Sequence, residues 1–370
     1  MDKVKYNASQ YKSSVQEAVQ ACQSLRMDPA NPVDVSLAEF VQARWGVSME
    51  GFYDDLGLNS SIDTIQNLFT LPDYSVRWLV PEIFRDALRL GLRRNPIWQD
   101  MIAAEQTIAN PQIVMPSLNM SDAAPVYVGE GETIATGTIS YGQKTVRIRK
   151  IGKGIQIPYE VQQYVSLNVL GIFLQDFGIK LNQAIDTLMI DVLINGEQSD
   201  GSESAPTVGV QSAGTLQYVD LLTVWVRMSR IGRLPQSIIG GENAAITTLN
   251  LREFKLRVFG PQTEKKLNLK TPVPEVTNYY IHGVVPTDQQ IIVDANAALI
   301  KFNAQPLLVE DEKIVSSQKL ASYASLTTGF AILYRDGRVV IDSSLSFASN
   351  GFPSYMDVDS AENVVISGAN

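Results

Sequence analysis

The side chains that carry most enzyme chemistry are nearly absent from this chain. It holds one histidine, His282, and one cysteine, Cys22. A Ser-His-Asp triad would have to use His282, and no G-x-S-x-G elbow accompanies it. His282 sits in Tyr279-Tyr-Ile-His-Gly and reads as an ordinary strand-end residue. Cys22 has no basic residue within three positions and lies in an amphipathic pattern, which predicts a buried structural thiol. An intrachain disulfide, a zinc site made only of Cys and His, and an H-E-x-x-H motif are all impossible. Gly142-Gln-Lys-Thr matches only the end of a phosphate-binding loop. Gly129-Glu-Gly131 and Gly152-Lys-Gly154 lack the third glycine of a dinucleotide fingerprint. Both pairs fall in a predicted hairpin and read as turn and bend residues. Asp357, Asp359 and Glu362 do not have EF-hand spacing and read as a solvated tail. Asp54-Asp55 and Glu310-Asp311-Glu312 read as surface charge near turns. No catalytic residue, cofactor or metal site is expected.

What remains is charge arranged for contact. Arg85, Arg89 and Arg93 recur at steps of four in PEIFRDALRLGLRR and share one helix face. Two readings stand: a solvated face with Glu82 and Asp86 close by, or a basic stripe that meets an acidic partner surface. A second constellation lies at 112–158. Its Gly-rich tip carries Asp122, Glu130 and Glu132. From Thr133 to Tyr159 there is no acid but there are Lys144, Arg147, Arg149, Lys150 and Lys153. An acidic tip on a basic stem suits head-to-tail packing of identical chains, with Glu130 and Glu132 facing Arg147, Arg149, Arg85 or Arg89 of a neighbour.

Period and punctuation name the elements that hold these charges. Gln112–Leu118, Thr145–Ile151 and Gly154–Pro158 read as strands, with Val146 and Ile148 alternating against Arg147 and Arg149. Fully extended, 142–158 would reach roughly 55 Å. A compact globule of this length has a radius of gyration of about 21 Å. A lone two-stranded hairpin is marginal in water, so it must lie on another surface, and a second copy is the obvious one.

Val165–Ile194 reads as a long helix, with Leu170, Leu174, Phe177, Leu181, Ile185, Leu188 and Val192 as its stripe and Asn195-Gly196 as its stop. Gly171 and Gly178 would share a face, where another backbone approaches closely or where they are simply tolerated. Tyr218–Ile231 reads as a second amphipathic helix ended by Gly232, Ser237–Gly240 as a buried strand, and Asn250–Phe259 as a short helix. Gln290–Asp294, Leu307–Glu310, Phe330–Tyr334 and Val364–Ile366 read as short strands. Arg335–Arg338 reads as a turn between Phe330–Tyr334 and Val339–Ile341.

Residues 1–75 carry ten acids and five bases. They contain a helix over Ser13–Leu25, a Ser36–Glu39 capping box and breakers at 28–32 and 56–61. Short helices tethered by loops suggest an arm that leans on something else.

With 370 residues, 45% of them hydrophobic, a sizeable core of two to three domains is expected. The net charge of −9 is the wrong sign for holding nucleic acid by overall charge. No signal peptide or membrane span is visible, so assembly in the cytosol is expected.

From residue 76 onward the order of features is GEGETIATGTISYGQKTVRIRKIGKGIQIPYEV, then a helix ending LMIDVLINGEQ, then VVPTDQQIIVDANAALIKFNAQPLLVEDEKIVSSQKLASYASLTTGFAILYRDGRVVID. This order resembles the major capsid protein of tailed bacteriophages with the Hong Kong 97-type fold, an α+β architecture. The resemblance implies an N-terminal arm at 1–75, retained in the mature chain, a helix and lead-in at 76–111, and an E-loop at 112–158. A P-domain with its spine helix would cover 159–240, and an A-domain 241–325. Return strands to the P-domain sheet and a tail would fill 326–370. It implies hexamers and pentamers of an icosahedral shell around double-stranded DNA, with scaffolding, portal and cement proteins as possible partners, no cofactor and no membrane. The place would be a virion capsid, with assembly in host cytoplasm. Some members weld their shells through an E-loop lysine. Between Ser121 and Gln143 there is none, so a non-covalent shell is expected. The alternatives are an encapsulin-like compartment of the same fold, a tail or adaptor ring, and a soluble enzyme with an unrecognised site.

Overall fold

The computed structural model describes residues 8–28, 33–58, 63–70, 78–108, 112–118, 139–197, 203–254, 273, 276 and 278–357. The fold is α+β: nine helices and eleven strands are described, with the strands gathered into three sheets. The long apolar stripe becomes α7 (Leu167–Asn195), which buries Leu170, Leu174, Leu181, Ile185, Leu188 and Val192 and stops at Gly196, φ 76°. Against it packs α5 (Leu79–Leu92). The crossing is close because Gly91 and Gly178 meet there. A Cβ on Gly178 would overlap the Leu88 carbonyl oxygen and lie 2.9 Å from the Gly91 Cα. A Cβ on Gly171 would meet nothing within 4 Å. Close approach therefore explains one glycine of the pair, and the other is tolerated.

Four strands form a sheet under these helices in the order β1 (Ile102–Thr107), β9 (Leu299–Ile314), β10 (Lys319–Ile332) and β4 (Arg149–Pro158). A five-stranded sheet follows the order β5 (Thr207–Val210), β11 (Arg338–Ser346), β8 (Gln289–Val293), β6 (Ser237–Gly240) and β7 (Asn278–Ile281). Beside it lie α8 (Tyr218–Arg230), which buries Leu221, Val224 and Met228, and α9 (Glu242–Asn250).

Several expectations need correction. Leu307–Glu310 and Phe330–Tyr334 fall in β9 and β10, strands of 16 and 14 residues paired with each other through most of their length. Glu310-Asp311-Glu312 lies inside β9 and not near a turn. Arg335–Gly337 does turn, but it joins two sheets: β10 pairs with β9 and β4, whereas β11 pairs with β8 and β5. The sheets thus draw strands from both sides of residues 240/241 and 325/326. The 241–325 slice splits between them, and Val339–Ile341 does not return to the sheet of β10. The helix expected at Asn250–Phe259 sits earlier, as α9. Gly152 and Gly154 lie within β4, where a Cβ would come within 2.8 Å of the Ala324 carbonyl oxygen or 2.7 Å of the Tyr323 ring. They permit close packing and make no bend. Val364–Ile366 lies outside the described residues.

The N-terminal helices do not lean on a foreign surface. α1 (Ala8–Arg26), longer than expected, α2 (Leu37–Trp45) and α3 (Met49–Asp55) contribute Val15, Val19, Cys22, Leu37, Val41 and Phe52, each 0% exposed, to one cluster with α5 and the first half of α7. Burying such side chains contributes roughly 1.5–3 kcal/mol apiece. The Ser36–Glu39 capping box opens α2, and Gly46 closes it in the left-handed region.

Candidate assembly surfaces

The arginine stripe on α5 is neither a solvated face nor free for a neighbour. Arg85 is 1% exposed and Arg89 8%. Arg85 donates to the carbonyls of Leu307 (3.1 Å) and Val35 (3.0 Å) and pairs with Asp34. Arg89 pairs with Asp34 (3.1 Å) and Glu39 (3.0 Å). Beside them Arg26 of α1 meets Glu82 through two bonds of 2.7 and 2.8 Å, both side chains buried. The acidic surface that the stripe meets is thus the chain's own segment at 34–39. Long side chains leaving a helix at steps of four reach it because the 33–36 turn crosses that face. Burial pushes the Glu39 carboxyl up, but the Ser36 N–H and Arg89 outweigh it and hold it below its ordinary value. Burial, reinforced by Glu82, lifts Asp86 from 3.8 to about 6, and its Oδ1 has no partner among the described residues.

The hairpin is built of β2 (Gln112–Leu118) and β3 (Ile139–Arg147), paired antiparallel from Gln112↔Arg147 to Leu118↔Ile139. The register slips between Val114 and Pro116, where proline cannot donate to the ladder. These two strands pair only with each other among the described residues. Their base is anchored by Val146, 1% exposed, against Ile108, Phe302 and Ala331. One residue on, β4 begins at the edge of the four-stranded sheet, with Arg149, Lys150 and Lys153 exposed along it. Basic side chains on an edge strand discourage indiscriminate strand pairing while leaving the edge available to an acidic partner. Glu130 and Glu132 lie outside the described residues, as does the side chain of Arg147. The structure therefore brings Arg85 and Arg89 together, exposes Arg149, and says nothing of the other three.

Two apolar faces remain uncovered. Tyr164, Val169, Ile172 and Phe173, at the start of α7, are 77, 45, 64 and 67% exposed. Ile246 and Leu249 of α9, Ile281 of β7 and the nearby Val284 are exposed as well. Large apolar side chains grouped on a surface mark contact sites.

Sequence reasoning missed three buried ionisable groups. Lys301 is 6% exposed, 2.8 Å from Glu105, with its ammonium 3.2 Å from the centre of the Trp98 ring. Arg338, 0% exposed, donates to the carbonyls of Leu193 (2.7 Å) and Glu203 near the end of α7. Asp186 accepts from the Trp98 N–H at 3.0 Å, and burial lifts it to about 6. In sequence each is a single charge inside an apolar run, and that was the available signal. Cys22 is buried, and burial pushes its thiol up to about 11. His282 accepts from the Val284 N–H at 3.3 Å, just past the end of β7. Asp357 is no free tail residue, since it pairs with Arg227 at 2.9 Å. No cluster of metal-ligating side chains occurs among the described residues, and no described helix is long and apolar enough to cross a membrane.

No protein-family model matches the sequence, and neither does any curated protein. Among solved structures the chain is similar to one from Gordonia phage Cozz, at 15% identity and TM-score 0.48, covering 67% of this chain and 86% of that one. It is similar to the capsid of an empty GTA particle at 12% identity and TM-score 0.49, with coverage of 67% and 90%. It is also similar to the holo-SrpI encapsulin complex of Synechococcus elongatus, at 11% identity and TM-score 0.47, with coverage of 68% and 88%.

Proposed function

We propose that this chain is a shell subunit of the Hong Kong 97 type, the major capsid protein of a tailed phage. It assembles into hexamers and pentamers of an icosahedral shell that encloses double-stranded DNA. The observation that carries this reading is the β2–β3 ribbon, which pairs only with itself among the described residues and leaves the body beside a basic edge strand and an uncovered apolar helix face. Such a ribbon is marginal alone and gains stability by lying on a second copy. In this reading 112–158 is the E-loop, α7 the spine, and the five-stranded sheet the part that meets its mates around capsomer axes. Glu130 and Glu132 meet Arg147 and Arg149 of a neighbour; Arg85 and Arg89 are already committed to the chain's own 34–39 segment. The shell is non-covalent and needs no metal or cofactor. Assembly takes place in host cytoplasm, with scaffolding, portal and cement proteins as possible partners.

Electron microscopy of the purified chain, followed by nuclease treatment and extraction, tests the reading. Closed particles holding nuclease-protected DNA support it. Closed particles filled with protein cargo point to an encapsulin-like compartment. A monomer that never closes into particles overturns it. Boiled particles migrating as chain multimers on a strongly denaturing gel would refute the non-covalent shell.

A further inference from the structure

A cavity of about 490 Å³ lies between α5, α7 and the four-stranded sheet. Its volume is that of a ligand site. Asn182 of α7 lines it, is 2% exposed, and its Oδ1 has no hydrogen-bond partner among the described residues. A buried acceptor in that state calls for an N–H or O–H donor from whatever enters. The cations of the lining are unequal. Arg89 is matched by Asp34, and Lys301 by Glu105. Arg93, at the mouth, is 60% exposed, and its nearest carboxylate, Glu39, stands 3.9 Å away, beyond hydrogen-bond distance. The wall is therefore one positive charge in excess: three cations against two carboxylates. Leu92, Trp98 and Ile185 supply an apolar side.

We infer that this cavity binds an acidic peptide segment. A Glu or Asp carboxylate takes the Arg93 guanidinium, a backbone N–H satisfies Asn182 Oδ1, and an apolar neighbour fills the Trp98 side. An extended peptide supplies a donor and an anion a residue apart, which neither a simple anion nor an apolar ligand does. This chain contains such a segment in Val128-Gly-Glu-Gly-Glu132. A second copy is thus one source, and that part of the inference rests on the proposed shell function. A separate acidic protein is the other source.

The test is calorimetric titration of the full chain carrying Glu130→Gln and Glu132→Gln, so that its own segment does not compete. The titrant is a synthetic peptide of residues 126–134. Saturable binding is expected, weakened at least about tenfold by Arg93→Gln on the protein or by Gln at both Glu positions of the peptide. Asn182→Leu weakens it similarly. Arg93 is exposed, so that variant folds whatever happens at Asn182. A scrambled peptide of the same composition that binds equally well keeps the acidic-peptide site and assigns it to a separate partner. No binding, or binding that survives both Arg93→Gln and the neutral peptide, shows a water-filled cavity only and overturns the inference. Closed particles without peptide binding would sink this inference alone, and peptide binding without particles would sink the shell reading alone.

Discussion

Gly171 and Gly178 stand seven residues apart on one helix and differ in what surrounds them. Alanine at Gly171 meets open space and removes the helix cost of glycine, so Gly171→Ala should stabilise the chain by about 1 kcal/mol. Alanine at Gly178 drives a methyl into the α5 backbone and should destabilise by about 1–3 kcal/mol or more, the cost of overpacking. Urea titrations of the two variants check the pair, and equal effects would contradict the packing account. Asp86 offers a second test. Its carboxyl is raised from 3.8 to about 6, so the native state holds its proton more tightly than the unfolded state does. That contribution is full below about pH 4 and is lost as pH rises through about 6. Asp86→Asn should therefore raise the melting temperature at pH 7.5, by the equivalent of about 1–3 kcal/mol, and change it little at pH 4. At this scale the sequence showed that His282 and Cys22 carry no chemistry. It could not show which of two like glycines meets a backbone, because that depends on a helix some 90 residues away in the chain.

The elements show where periodicity is a sufficient guide. The α7 stripe was legible because 29 residues give many turns over which a 3.6 period accumulates. The β9 and β10 strands were cut short because Asn303, Gln305 and Pro306 interrupt the apolar runs, and only cross-strand pairing carries them through. The arm was misjudged for a related reason. Its acids looked like surface charge until Arg26, Arg85 and Arg89 were seen to close on them. Replacing Arg26 alone by Met leaves Glu82 buried and unpaired and should cost about 3–5 kcal/mol. The double variant Arg26→Met, Glu82→Leu should recover most of that loss. Hydrogen exchange should then show α1 and α2 opening in the single variant and protected again in the double. An unchanged exchange pattern in Arg26→Met would mean the arm is held by apolar packing alone.

Across the whole molecule, the charge of −9 is distributed with purpose. Acids of the arm are consumed inside the chain, while bases of the hairpin stem, such as Arg149, Lys150 and Lys153, stay exposed on an edge strand. Arg149→Glu should weaken association between copies and reverse its salt dependence in sedimentation velocity, and an unchanged profile would remove that edge from the interface. Element order along the chain was legible, but the assignment of strands to sheets was not. β10 and β11 are neighbours in sequence, yet they belong to different sheets. A turn such as Arg335–Gly337 looks alike whether it folds a hairpin or hands the chain from one layer to another. The central claim concerns many copies of the chain, and electron microscopy of the purified protein addresses it most directly. Closed icosahedral particles are the predicted result; a dispersed monomer that forms no particle at any salt or protein concentration would contradict it.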